Sequence, residues 1–448
     1  MNKKKPNILL LFPDQHRGDW MPYDKEIMHE FGMDELPLKM PNIEKLMENG
    51  VTFPRTVTSS PLCAPARACL ASGLRYDKCN VSDNNVDYPI GQKTFYNVLK
   101  DAGYNVGGVG KFDVHKKTSW WGLDGWVEQL GQIGFTHAID NEGKWDAIRS
   151  GSDEPKGPYM KYLHDSGMVN IHIDDMNARR RKPLYAKCTD LPDEAYCDNW
   201  LSQNAITMLS KFEKQKPWFL QVNFTGPHYP WDVTQNMKES WKNVGFSIPN
   251  SMGDMDKDAI NSVRQNYAAM LQNIDKNIGL ILDKVKDRGE LDNTVIIYSS
   301  DHGEMLGDFE KFGKNIYLRG SVHIPLVISA PGLQKNCIRK QLVELQDLTS
   351  TIVSLAGCDM PEAKDSISLV PVLKGVEGAV KRQYITSGLK DWRLICDEKY
   401  KAIFKCDEKI KLFDIQEDPW ENNDIAEENP EAVQKISMYL DDLIQGAR

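Results

Sequence analysis

Pro6-Asn7-Ile8-Leu9-Leu10-Leu11-Phe12 is an unbroken apolar run between turn formers, and the chain turns polar just beyond it, at Asp14-Gln15. A strand with one wet face alternates apolar and polar residues, whereas a strand covered on both faces reads as a continuous hydrophobic run. This stretch therefore predicts a buried strand of a parallel sheet. Asp14 and Gln15 then emerge at the carboxyl edge, where open α/β folds build their sites.

Outward from this strand, Asn42 to Asn49 and Thr94 to Ala102 are predicted helices, each followed by a glycine (Gly50, Gly103) suited to a left-handed cap. Tyr104 to Gly108 reads as a strand, Asp198 to Lys214 as a helix and Trp218 to Phe224 as a strand. Ser262 to Asp287 is a long helix ahead of the strand Thr294 to Ser299. Strands alternating with helices predict a three-layer α/β core. Between Asp140 and Asp190 the sequence is polar and irregular and includes the basic run Arg179-Arg180-Arg181-Lys182, which predicts a surface insertion with a solvated face. From about Gly378 come strand-like runs at Trp392 to Asp397, Tyr400 to Lys405 and Ile410 to Phe413, then an amphipathic helix from Pro430 to Leu443. The 448 residues thus divide into a catalytic domain over 1–377 and a smaller α+β subdomain over 378–448.

Lys and Arg number 55 against 64 Asp and Glu, so the formal net charge of −9 gives no electrostatic reason to expect nucleic acid. An anionic substrate would need a local positive pocket. The basic start, Met1 to Lys5, is followed by an apolar run too short for a signal peptide or a membrane span. Nine cysteines without metal-ligand spacing fit reduced thiols, so the expected location is the cytoplasm, away from membranes. The sequence carries no signal of oligomeric state.

Ser60-Pro61-Leu62-Cys63-Ala64-Pro65-Ala66-Arg67 is the strongest chemical signal. Pro65 suits a first helical turn, and residues four apart share a helix face, so Arg67 can lie beneath Cys63. Backbone N–H groups and a guanidinium there suit an anion. A second constellation pairs Asp14-Gln15 with Asp301-His302-Gly303-Glu304 at the end of another strand, which is metal-like. An all-oxygen shell favours Ca²⁺, and an imidazole ligand brings Mn²⁺ into competition. Loop cations form a third group: Lys111 in Gly110-Lys111-Phe112-Asp113-Val114-His115, His228 after Gly226-Pro227, and Lys314 after Phe312-Gly313. Gly73-Leu74-Arg75 and Asn84-Asn85 lie just downstream of Cys63 and read as polar loop residues.

Cys63-Ala64-Pro65-Ala66-Arg67 resembles the maturation signature of the type I, formylglycine-dependent sulfatases of the alkaline-phosphatase-like superfamily, and the resemblance continues in matching order along nearly the whole chain. It implies a sulfate-ester hydrolase with an alkaline-phosphatase-like sandwich and a C-terminal subdomain closed by the segment Lys411 to Asn423. A maturase would oxidise Cys63 to formylglycine, whose hydrate attacks sulfur and later collapses to release sulfate. A divalent metal would sit on Asp14, Gln15, Cys63, Asp301 and His302. Arg67, Lys111, His228 and Lys314 would surround the sulfate. Family members usually carry Asn where this chain has His302, and histidine where it has Asp113. His115 is the expected substitute for that histidine, and Asp113 either orients Lys111 or accepts a substrate hydroxyl. Lys111-Phe112-Asp113 and Asn84-Asn85 resemble the arylsulfatase K group of uronate-2-sulfatases, which points to a small-molecule or oligosaccharide sulfate ester. The rival readings are a phosphonate monoester or phosphodiester hydrolase on the same site, and a non-catalytic binder of anionic glycans with Cys63 unconverted.

Overall fold

A computed structural model describes residues 5–445. Eight strands form one sheet, in the order Cys337–Ile338, Gly50–Thr52, Leu326–Ser329, Thr294–Ser299, Asn7–Leu11, Trp218–Asn223, Asn105–Gly110, His137–Asp140. The last five run parallel, with Leu11 beside both Val222 and Tyr298. Their carboxyl ends, and the loops that follow, therefore open on the same edge. Ile8, Leu10 and Phe12 pack into one core while Leu9 and Leu11 pack into another on the opposite face. Alternate side chains of a single strand thus feed two cores, which is why the run is continuously apolar. The Cys63–Ser72 helix covers the first face, and the Cys197–Lys211 and Lys257–Asp287 helices cover the second.

Ile385–Leu389, Trp392–Cys396, Tyr400–Lys405 and Lys411–Asp414 make a separate antiparallel sheet. Ile385 and Leu394 face the first core, whereas Ile395, Ala402 and Leu412 meet Ile436 of the closing helix, Pro430–Gln445. The sequence reading had not anticipated Ile385–Leu389, which carries Thr386, Ser387 and Gly388 in its middle.

Two expectations are corrected. The 140–190 region is not a solvated insertion: it holds the helices Pro158–Asp165 and Val169–Arg179, which bury Tyr159, Met160, Leu163 and Met176. Arg179 of the basic run is itself buried, bonding Asp175 and the carbonyls of Trp231 and Lys187. Gly50 is not a left-handed cap like Gly103 but a strand residue, where a Cβ would fall 2.5 Å from the Ile328 carbonyl oxygen. Close approach of backbone, not positive φ, requires glycine there.

Candidate active site

Asp14 follows the first strand and donates its N–H to the carbonyls of Phe224 and Gly226 at 3.1 Å. Asp301 and His302 follow Thr294–Ser299, the neighbouring strand, and Lys111 follows Asn105–Gly110. Cys63 opens the helix Cys63–Ser72, which Gly73 ends in a left-handed cap. Donor atoms of Asp14, Cys63, Asp301 and His302 lie within 4.8 Å of one another, and all four residues are buried. Gln15 joins them, donating its backbone N–H to Asp301 Oδ1 at 3.0 Å and its side-chain amide to Glu304.

The cluster fits a divalent cation. Asp14 Oδ1 and Gln15 Oε1 are buried oxygens with no hydrogen-bond partner among the described residues, and such acceptors are rare unless something else satisfies them. His302 Nδ1 lies 3.1 Å from the Gly303 carbonyl and donates to it in the neutral ring, which aims the Nε2 lone pair into the cluster, 3.6 Å from both Asp14 and Asp301. Two carboxylates, an amide oxygen and one imidazole form a hard donor set with a single nitrogen.

Two ammonium groups converge on Cys63 Sγ, Lys314 Nζ at 2.9 Å and Lys111 Nζ at 3.5 Å, and His302 Nε2 lies 3.3 Å from it. Burial and Asp14 both push the thiol up, yet Lys111, Lys314 and His302 outweigh them and bring it down to about 5. The sulfur marks where this fold accommodates a negative group. Burial alone would also raise the Asp14 carboxyl, but Lys111, His228, Lys314 and Arg67 together hold it well below the usual carboxylate range.

Arg67 lies beneath the cluster rather than in the cavity. It bonds Asp301 Oδ2, the Lys111 carbonyl and Asn223 Oδ1 and meets Asp14 Oδ2 at 3.5 Å, tying four neighbouring strand ends together. Asp113 ion-pairs with Lys111 at 3.1 Å and Lys116 at 3.2 Å, which is the orienting contact rather than a free acceptor. His115 does not reach the place expected of it. Its ring nitrogens meet Asp140 Oδ2 at 2.7 Å and Thr118 Oγ1 at 3.2 Å, while Asp140 also accepts from the Phe112 N–H. The imidazole thus braces the loop that carries Lys111.

A cavity of about 240 Å³ opens above Cys63, bordered by Lys111, His228 and Lys314. Residues that the sequence reading passed over complete it: Lys116, Lys144, Trp145, Asp146 and Tyr229. Trp145 and Tyr229 lie 5.6 Å apart at 30°, an aromatic wall. Lys144 and Trp145 come from the supposed insertion, where no periodicity marked them. Asn84 accepts the Ala64 N–H at 3.0 Å and borders both this cavity and a second of about 450 Å³, which extends past Tyr317 and Trp392 toward the antiparallel sheet.

Gly110 sets the exit of Lys111. Its φ is 110°, and a Cβ there would lie 1.9 Å from the Asn223 carbonyl oxygen. Gly91 has φ 97° with open space around it. Gly91→Ala should therefore cost about 1 kcal/mol from backbone strain alone, and Gly110→Ala at least ~2 kcal/mol more, read from urea unfolding. Equal costs would mean that the Asn223 carbonyl gives way easily.

An acidic, histidine-bearing cluster and converging ammonium groups at a parallel sheet edge make the site of a hydrolase of anionic esters. The model of the sulfatase family matches residues 6–358, and that of the N-sulphoglucosamine sulphohydrolase C-terminal region matches residues 307–447. The chain belongs to the sulfatase family, enzymes that hydrolyse sulfate esters. An arylsulfatase of Clostridium perfringens is 25% identical, over 99% of this chain and 95% of its own. Among solved structures, the phosphonate monoester hydrolase of Agrobacterium radiobacter superposes with a TM-score of 0.75 at 21% identity, covering 98% of this chain and 95% of its own. A structure in complex with its substrate D-glucosamine-2-N,6-O-disulfate superposes with a TM-score of 0.76 at 19% identity, covering 99% of this chain and 98% of its own.

Proposed function

We propose that this sulfatase cleaves a sulfate ester of a carbohydrate through a formylglycine made from Cys63 by a maturase. The observation that carries the reading is the position of Cys63 Sγ, at a helix N-terminus on the floor of the cavity and within 3.5 Å of Lys111, Lys314 and His302. Its oxidised, hydrated form would present a hydroxyl to sulfur where positive groups stabilise the charge that develops. Asp14, Gln15, Asp301 and His302 would hold the metal, Ca²⁺ ahead of Mn²⁺, and the cation would polarise a sulfate oxygen. Lys111, Lys314 and His228 face the sulfate, Arg67 steadies the carboxylates, Asp113 orients Lys111 and His115 braces its loop.

The aromatic wall of Trp145 and Tyr229 and the paired charges beside it suit a sugar, which offers an apolar ring face and hydroxyls. The solved neighbour with a glucosamine disulfate as its substrate agrees with a carbohydrate ester. We further assign residues 1–377 to the catalytic domain and 378–448 to its companion. The cysteines, all unbridged, suit a reducing compartment such as the cytoplasm, and no helix among the described residues is long and apolar enough to cross a membrane.

The likeness to a phosphonate monoester hydrolase keeps one second reading in view, hydrolysis of phosphonate monoesters or phosphate diesters. Turnover of 4-nitrophenyl sulfate, a panel of sulfated sugars and bis(4-nitrophenyl) phosphate by the matured enzyme separates the two. We expect kcat/KM for the best sulfate ester to exceed that for the diester by at least about tenfold, and the reverse ratio overturns the assignment. Mass spectrometry of the peptide holding residue 63 tests maturation and excludes a purely glycan-binding role if conversion accompanies turnover.

A further inference from the structure

The second cavity, of about 450 Å³, abuts the catalytic one, and the wall between them is one residue thick. Cys63 borders the first and Leu62 the second; Lys314 borders the first and Asn315 the second; Asn84 borders both. Consecutive Cα atoms are only ~3.8 Å apart, less than the length of a sugar ring with its linkage. Two hydrogen bonds hold the wall in place. Asn315 donates its N–H to the Pro61 carbonyl at 3.2 Å, and Asn84 accepts the Ala64 N–H at 3.0 Å. A sugar whose sulfate sits at residue 63 therefore has the second cavity within reach of the unit joined to it.

The far side of this cavity belongs to the antiparallel sheet. Lys390 and Asp391 are the two turn residues of the hairpin in which Leu389 pairs with Trp392. Leu62, Ile316 and Leu389 supply apolar surface, and Trp392 meets Tyr317 edge to face, with ring centres 6.0 Å apart at 81°. The polar lining is unspent. Ala64 occupies Asn84 Oδ1, but the Asn84 amide N–H groups, the side-chain amides of Asn85 and Asn315 and the Lys390 ammonium have no partner among the described residues. Charges balance, Lys390 and Lys405 against Asp83 and Asp391, whereas ammonium groups gather at Cys63 in the catalytic cavity. Apolar surface, free hydrogen-bonding groups and no net charge suit an uncharged, hydroxyl-rich sugar rather than a second sulfate.

We propose that the second cavity is a subsite for a neutral sugar unit joined to the sulfated one, so that the substrate is an oligosaccharide rather than a single sugar; the assignment rests on the carbohydrate-sulfate reading above. Lys390 and Asp391 bond the hydroxyls of that unit and determine specificity. Contacts so far from sulfur hold the ground state and the transition state alike, so they lower KM and leave kcat unchanged.

The test compares sulfate esters of glucose, galactose and N-acetylglucosamine with disaccharides that join the same sulfated unit to a neutral hexose, on protein whose conversion at residue 63 has been verified by mass. For the accepted sugar, wild-type kcat/KM should be at least about tenfold higher on the disaccharide than on the monosaccharide, through KM. Lys390→Ala combined with Asp391→Ala, at an exposed turn, should lower kcat/KM about tenfold on the disaccharide and leave the monosaccharide within about twofold of wild type. Equal kcat/KM on the two sugars in wild type, an undiminished preference in the double variant, or the same loss on both sugars overturns the subsite while leaving the carbohydrate-sulfate reading intact. An enzyme inert toward every sugar sulfate, single or joined, removes that reading and the subsite with it.

Discussion

Cys63→Ala is expected to abolish sulfate-ester turnover, lowering kcat by on the order of 10⁴-fold or more, because it removes the group that would form the covalent intermediate between Lys111 and Lys314. The surrounding charges do not depend on the thiol for partners. Lys111 keeps Asp14 and Asp113, and Lys314 keeps the His302 ring at 2.9 Å. The helix that begins at Cys63 retains Pro65 in its first turn and its left-handed Gly73 cap, and alanine is a good helix former. The variant should therefore fold, and it should still bind the substrate within about tenfold of wild-type affinity, since Lys111, His228 and Lys314 remain in place. Equilibrium binding of an uncleaved sulfate ester beside a turnover assay measures both halves. Cys63→Ser should behave likewise unless the host's maturase accepts serine, which the mass of the residue-63 peptide reveals. A wild-type rate in Cys63→Ala would show that the nucleophile lies elsewhere.

The parallel core was legible because burial on two faces leaves a plain mark: Ile8 to Phe12 feeds two cores and cannot afford a polar residue. The positions of Asp14, Asp301 and Lys111 at the carboxyl edge followed from strand polarity alone. What escaped the sequence was long-range. Lys144 and Trp145 find their partners far along the chain, Lys144 an ion pair with Asp232 and the half-buried Trp145 a ring contact with Tyr229, so neither leaves a periodic trace. His115 and Asp113 were both quoted, but which one faces Lys111 depends on a loop in which Asp113 takes φ 53°. That turn sends the carboxylate to Lys111 and the imidazole to Asp140.

Metal addition should raise the thermal stability of the wild-type protein, and Asp14→Ala should lose both that response and turnover. The wild-type site holds two buried acidic groups, and Asp14 Oδ1 and Gln15 Oε1 lack partners among the described residues. A cation bound only by the folded state stabilises it by about 2.7 kcal/mol at a hundredfold excess over Kd. Removing the Asp14 carboxylate takes away one ligand and half of the site's negative charge, while Lys111 and Lys314 remain nearby to repel a cation. Metal content by elemental analysis after dialysis should fall in step with the lost thermal shift. Retention of both would place the cation on other groups. His302→Asn refines the assignment, because it exchanges the imidazole Nε2, aimed into the cluster by the Gly303 carbonyl, for an amide oxygen. If Nε2 is a ligand, the variant should bind Mn²⁺ more weakly relative to Ca²⁺, shifting the ratio of the two dissociation constants by about tenfold or more, since Ca²⁺ favours oxygen donors and imidazole favours transition ions. An unchanged ratio would confine the ligand set to Asp14, Gln15, Asp301 and residue 63, and would make His302 a neighbour of the nucleophile rather than of the metal.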